Sequence, residues 1–121
     1  MPSTAKIFMK QGEIWQIGLD PAIGAEMKKT RPALLINDDA LGKLPLKIIV
    51  PITDWKEQYG NYPWMVKVTP TKQNGLFKIS AVDCFQIRSV AIERLVVHIG
   101  FVEPEIITQV QEAISKVIGA L

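Results

Sequence analysis

Catalysis needs groups that move protons, hold charge or attack, and this chain carries few of them. Its single histidine, His98, lies in Val96-Val97-His98-Ile99-Gly100, so two imidazoles cannot pair as acid and base within one chain. His98 alternates with apolar neighbours, the pattern of a strand residue on an exposed face. No Cys/His cluster has the spacing of zinc ligands. Asp38-Asp39 has the donor chemistry of a magnesium site, although adjacent loop carboxylates are more often solvated turn residues. Phosphate-binding and dinucleotide-binding glycine patterns are absent, and Ser80 and Ser89 have no His/Asp partner nearby in sequence. What remains is a set of cationic and polar side chains at strand ends. Arg31 opens a strand immediately after a loop, and Thr53 follows Ile48-Ile49-Val50-Pro51-Ile52, where another strand ends. Gln86 and Arg88 share one strand face, opposite Phe85 and Ile87. A plain surface cation at Arg31 and a strand-end cap at Thr53 fit the same positions.

These residues must be placed by a chain of 121 residues, the size of one domain. Hydrophobic residues are 48% and charged ones 21%, enough apolar volume for a core and too little charge for disorder. No apolar run approaches the length that crosses a bilayer, and residues 1–10 lack the apolar stretch of a secretory signal. The lone Cys84 has no intrachain disulfide partner, which fits a reducing cytosol. A cytoplasmic chain without membrane association is therefore expected. Net charge is only +2 but uneven. Residues 103–121 hold three acids and one Lys, whereas residues 28–94 hold eleven basic and six acidic side chains. A mildly basic body of this kind can steer a phosphate backbone to one face, and an ordinary solvated surface gives the same tally.

Residues 1–10 are expected as a short arm. Strand alternation runs through residues 13–20, with Trp15, Ile17 and Leu19 on one side and Trp15 expected in the core. Residues 31–37 and 46–52 are expected as strands, with Pro51 marking an edge or a bulge. Residues 38–45 form a loop or short helical turn, and residues 59–63 are turn-rich. Residues 64–69 alternate again, Asn74-Gly75 suggests a tight hairpin, and residues 76–89 and 94–101 supply further strands. Ile106, Ile107, Val110, Ala113, Ile114, Val117, Ile118 and Leu121 recur at helical spacing, with Glu103 and Pro104 at the N-cap and first turn. The layout is mainly β with a C-terminal amphipathic helix over residues 103–121, one domain, and suits a small barrel closed by that helix.

Six motifs then fall in a recognisable order: Gly12-Glu13-Ile14-Trp15, Leu19-Asp20-Pro21, Gly24-Ala25-Glu26, Arg31-Pro32-Ala33-Leu34-Leu35-Ile36, Val50-Pro51-Ile52-Thr53 and Gln86-Ile87-Arg88-Ser89. In this order they resemble the signatures of the MazF/PemK toxins, over roughly residues 10–121. The resemblance implies an SH3-like barrel shared by MazF, PemK and CcdB-like toxins, acting as a homodimer. It also implies metal-independent, cofactor-free cleavage of single-stranded mRNA at short motifs, and a MazE-like antitoxin whose acidic disordered tail occupies the RNA groove. The family's essential Arg and Thr match Arg31 and Thr53; Glu26, five residues before Arg31, is a candidate base or orienter, and a solvated loop acid fits the same position. Lys28, Lys29, Tyr59, Tyr62, Trp64, Gln86 and Arg88 are the expected RNA contacts. The chain departs from the family where Met27-Lys28-Lys29-Thr30 replaces a Gly-containing stretch, and at Phe85, where a polar or acidic residue is frequent.

RNA carries its own nucleophile, the 2′-hydroxyl, so an enzyme of this kind needs neither an attacking side chain nor a metal. That expectation reconciles the poverty of catalytic groups with nuclease activity. Toxins of the same fold that bind DNA gyrase, and a catalytically silent barrel that only binds RNA or antitoxin, are the alternatives.

Overall fold

A computed structural model of the chain describes residues 9–18, 30–41 and 43–120. They form β1 (Glu13–Gly18), β2 (Thr30–Leu35), β3 (Leu46–Asp54), β4 (Met65–Val68), β5 (Ser80–Asp83), β6 (Arg88–Ala91), β7 (Leu95–Phe101) and α1 (Pro104–Val117). The strands pair antiparallel in the order β4-β5-β3-β2-β1-β7, and β6 also pairs with β3. This is the expected mainly β, barrel-like sheet followed by one helix. No helix among the described residues is long and apolar enough to cross a membrane.

Strand alternation sorts the apolar side chains into two cores. Ile14, Leu34, Val50 and Ile52 join Val66, Val82 and the helix residues Val110 and Ala113 on one face. Trp15, Ile17, Ala33, Leu35 and Ile49 join Met9, Val90 and Leu95 on the other. Trp15 lies in the core as expected, 1% exposed, with its indole Nε1 donating to Glu13 Oε1 at 2.9 Å. Because both faces of β1–β3 are covered, a one-residue slip in any of them would exchange the two cores, and the register is held firmly.

β3 extends to Asp54 rather than ending at residue 52, and Pro51 lies inside it. Pro51 is neither at an outer edge nor on a bulged strand. On one side β3 pairs with β2 through Ile49, Val50 and Pro51. On the other it pairs first with β6, as far as Ile49, and then with β5, from Ile52. Ile48 directs its C=O to Ile36 N and its N–H to Asn37 Oδ1, both on the β2 side. Three residues on, Pro51 turns its nitrogen the other way, into the interval between β6 and β5. A proline is tolerated there because no strand offers a partner for an N–H.

β5 and β6 are in effect one strand interrupted. From Val82 to Arg88 the partner advances six residues while β3 advances three, from Ile52 to Ile49. The three surplus residues, Cys84–Gln86, wind into a single 3₁₀ turn capped by Asp83, whose carboxylate accepts from Phe85 N at 3.2 Å.

Two other expectations are corrected. Asn74-Gly75 does not join a tight hairpin: β4 and β5 pair across the long connection of residues 69–79. Asn74 is buried and staples that connection, its Oδ1 accepting from Thr71 N and Leu76 N and its Nδ2 donating to Thr69 O. The connection lies so close on β7 that a Cβ on Gly100 would meet Gln73 O, so only glycine fits. The helix stops at Val117, with Ile118 as C-cap and largely exposed. Gly119, at φ +74°, donates to Lys116 O and Ala120 donates to Ser115 O, a Schellman ending. Glu103 occupies the N-cap position without a side-chain cap bond, and Pro104 stands at the first turn. Leu19, Asp20 and Leu121 lie outside the described residues.

The Cys84 side chain is fully buried beneath the 3₁₀ turn, and its thiol is pushed up from 9.0 to about 12, by burial first and by the neighbouring Asp83 carboxylate second. The unfolded thiol ionises near pH 9 while the folded one stays protonated, so the folded state binds more protons and loses stability as pH rises between these values. Urea unfolding of wild type and Cys84→Ala should therefore show wild type losing extra stability above about pH 9, and no extra loss there would contradict the buried, protonated thiol.

Candidate functional site

Cross-strand pairing fixes which side chains can meet. Ile49, Pro51 and Thr53 share one face of β3. Arg88 is paired with Ile49, and Ala33 with Pro51, so Arg88 and the Ala33 side of β2 lie on that same face. Extending the β2–β3 register by two residues sets Arg31 opposite Thr53. The interval opposite Pro51 is thus ringed by Arg31, Thr53 and Arg88, with the 3₁₀ turn as its far wall.

The result is an open cavity of about 400 Å³ lined by Arg31, Pro51, Ile52, Thr53, Tyr59, Asp83, Gln86 and Arg88. Five residues singled out in the sequence, Arg31, Thr53, Tyr59, Gln86 and Arg88, therefore share one site although they span 58 positions of chain, from 31 to 88 inclusive. Among the described residues neither arginine makes an ion pair, and both line the cavity with a group that suits an anion. Gln86 donates from Nε2 to Asp83 Oδ2 at 2.8 Å.

Sequence reasoning does not single out Asp83. A signal exists, because Asp83-Cys84-Phe85-Gln86 has the spacing of a capping box, an acceptor followed three residues later by Glu or Gln. Here the glutamine reaches the capping side chain rather than its backbone. Pro51 and Ile52 likewise read only as strand residues.

Tyr62 and Trp64 do not line the cavity but continue an aromatic row from it. Trp55 meets Tyr59 edge-on at 5.9 Å, Tyr59 tilts against Tyr62 at 6.0 Å, and Tyr62 stacks on Trp64 at 4.9 Å and 8°. Trp64 meets Phe85 at 5.8 Å and packs against the helix-side core, so the row ends on the residue before Gln86. Tyr59 alone of the row lines the cavity among the described residues. One face of Tyr62 and one of Trp64 are taken up by their mutual stack.

The remaining candidates fall elsewhere. His98 is exposed on β7, edge-on to Trp15 at 5.3 Å, with Nε2 4.0 Å from Glu13 Oε1. Asp38 and Asp39 cap turns, accepting from Ala40 N at 2.9 Å and Gln11 N at 2.8 Å. Ser80 Oγ donates to Lys78 O. Among the described residues no three His, Cys, Asp or Glu side chains gather as a metal cluster. Glu26, Lys28 and Lys29 lie outside the described residues.

Residues 10–118 match the family described as PemK-like, MazF-like toxin of type II toxin–antitoxin system. The chain is similar to the endoribonuclease MazF9 of Mycobacterium tuberculosis, 35% identical over 113 residues, which cover 88% of this chain and 93% of the relative. Its fold is similar to that of a mycobacterial endoribonuclease solved with its cognate antitoxin, at TM-score 0.74 and 17% identity, covering 93% of this chain and 96% of the other. A MazE–MazF structure from Deinococcus radiodurans gives TM-score 0.72 at 21% identity, with the same coverage of 93% and 96%.

Stacked aromatic pairs contribute about 0.5–1.5 kcal/mol beyond the area they bury. A double-mutant cycle on Tyr62→Ala and Trp64→Ala should give a coupling in that range by urea unfolding, and additive losses would show that the 4.9 Å stack contributes nothing of its own.

Proposed function

The chain belongs to the PemK-like, MazF-like toxins of type II toxin–antitoxin systems, and on that premise we propose that it is a sequence-specific, metal-independent endoribonuclease acting on single-stranded mRNA. The observation that carries this reading is the meeting of Arg31, Arg88 and Thr53 on one open cavity of nucleotide-accommodating size. The endoribonuclease names of its relatives support it.

In this reading the 2′-oxygen of the RNA attacks the adjacent phosphorus. A P–O2′ bond forms and the P–O5′ bond breaks, leaving a 2′,3′-cyclic phosphate and a 5′-hydroxyl. One proton must leave the 2′-hydroxyl and one must reach the departing O5′. Arg31 clamps the non-bridging oxygens, whose charge grows in the transition state, because its planar fork matches phosphate geometry. Thr53, opposite it in register, donates a neutral hydrogen bond to the same group. Arg88 holds the neighbouring backbone, and Gln86 and Tyr59 meet the flanking nucleotides. Two fixed cations do the charge neutralisation that a divalent metal does elsewhere, which is why the reaction needs no metal. Glu26 is assigned as base or orienter from its place five residues before Arg31, and Lys28 and Lys29 as RNA contacts from their charge, since they depart from the family's Gly-containing stretch. Tyr62 and Trp64 support the aromatic row behind Tyr59.

The chain works as a homodimer in the cytoplasm. Its partner is a MazE-like antitoxin whose acidic, disordered tail lies over the arginine-lined cavity and excludes RNA. The structural neighbours solved with antitoxins support this assignment.

Incubation with a long single-stranded RNA in excess EDTA should give discrete cuts ending in 2′,3′-cyclic phosphate. Arg31→Ala and Thr53→Ala should each lower the rate by about 100-fold to 1,000-fold with unfolding midpoints near wild type. RNA left intact by folded wild-type protein, or cutting that stops only on addition of EDTA, would overturn the reading.

A further inference from the structure

Among the described residues Asp83 is the one carboxylate that lines the cavity, and it is 9% exposed. It faces two arginines across the site, yet makes an ion pair with neither among the described residues. Both of its oxygens serve the 3₁₀ turn instead: Oδ1 accepts from Phe85 N at 3.2 Å, and Oδ2 from Gln86 Nε2 at 2.8 Å.

The second bond decides which way the Gln86 amide faces. An ionised carboxylate only accepts, so the NH₂ end of Gln86 must face Asp83, and the carbonyl end is left to the cavity that Gln86 lines. Among the described residues Gln86 Oε1 accepts no hydrogen bond. The rest of the cavity is rich in donors. Arg31 and Arg88 only donate and suit phosphate oxygens, and Thr53 has a single proton to give. The hydroxyls of Thr53 and Tyr59 can donate or accept as they rotate, so Gln86 Oε1 is the neutral acceptor whose direction is fixed, aimed at an N–H or O–H of the nucleic acid. A neutral amide free to rotate would present donor and acceptor about equally, which reads nothing.

We infer that Asp83 is a positioning residue: it locks the Gln86 amide so that Oε1 receives a hydrogen-bond donor of the RNA, either an exocyclic amine of a flanking base or a ribose 2′-hydroxyl. The inference rests on the nuclease reading above and gives that site an acceptor of fixed direction. Asp83 acts through Gln86 and does not itself touch the substrate.

A charge-conserving exchange tests it. In Asp83→Asn the side-chain oxygen can still cap Phe85 N, which leaves the new NH₂ facing Gln86. The glutamine must then reverse and present a donor to the cavity. In Gln86→Glu two carboxylates meet and the pair is broken. In Asp83→Asn/Gln86→Glu the asparagine NH₂ faces the new carboxylate, which again offers an oxygen to the cavity. Each single variant should lose about tenfold or more in kcat/KM on a long single-stranded RNA, the scale of one misdirected hydrogen bond. The double variant should return to within about threefold of wild type. A rise in KM with altered bases at the mapped cut sites identifies a base amine as the donor. An unchanged cut pattern with a lower kcat identifies the 2′-hydroxyl.

Single variants that cut like wild type would overturn the positioning role and leave the nuclease reading standing. Impaired singles with no recovery in the double would also overturn it, pointing to Asp83 as a proton-transfer group or a fold support. If Asp83→Asn fails to fold, Gln86→Glu against the double variant makes the same comparison. Intact RNA with folded wild type would overturn both the nuclease reading and this use of Gln86.

Discussion

β3 changes partners halfway along its length, and the candidate site exists because of that change. A strand hydrogen-bonded on both sides leaves no room for a ligand, whereas a bare interval would strand an N–H without a partner. Pro51 resolves the conflict by having no N–H to strand. β6 holds β3 as far as Ile49, β5 takes over at Ile52, and the three surplus residues of the partner rise away as a turn. The opening so made has β-ladder on three sides. Arg31, Thr53 and Arg88 are therefore set by strand register, and Gln86 and Tyr59 are added by the turns that border it.

That origin explains why the cavity combines a firm frame with polar contents. Ile49, Val50 and Ile52 are at most 3% exposed and anchor β3 in both cores. Arg31 and Thr53 stand just beyond the last pair of the β2–β3 ladder, yet each is still paired on its other side, Arg31 with Ile17 and Thr53 with Ala81. The turn is held by the Asp83 cap, by Cys84 buried beneath it, and by Phe85 at the end of the aromatic row. Each anchor comes from a different kind of force. None of them uses the exposed Lys78–Asp54 pair, whose side chains are 73% and 68% exposed and which at best adds a few tenths of a kcal/mol.

Much of the fold is legible in the sequence because alternation of apolar residues is a strong local signal. Ile14, Trp15 and Ile17 announce β1, and the helical spacing from Ile106 to Ile114 announces α1. What local pattern cannot carry is pairing. Pro51 resembles an edge residue because sequence shows a missing donor and not the gap it faces. Asn74-Gly75 resembles a hairpin because the dipeptide suits a tight turn, whereas its use depends on Thr69, Thr71 and β7. Apolar spacing overruns the helix end because Ile118 continues the pattern while Gly119 ends the hydrogen-bond ladder. For the site, Arg31, Thr53, Gln86 and Arg88 stand out as donors at strand ends. Asp83 does not, since a lone acid gains meaning only from the turn it caps.

The three-residue excursion of Cys84–Gln86 also sets what kind of change this site can absorb. A 3₁₀ turn has three residues per revolution, so each added or deleted residue rotates the downstream chain by about 120°. An insertion there would swing Gln86 off the cavity, carry Asp83 away from its partner and throw β6 out of phase with β3 at once. The connection of residues 69–79 is held in another way, by the Asn74 staple, by Leu76 on the helix-side core and by close backbone contact with β7 at Gly100. Between β5 and β6, therefore, side-chain identity can change where length cannot.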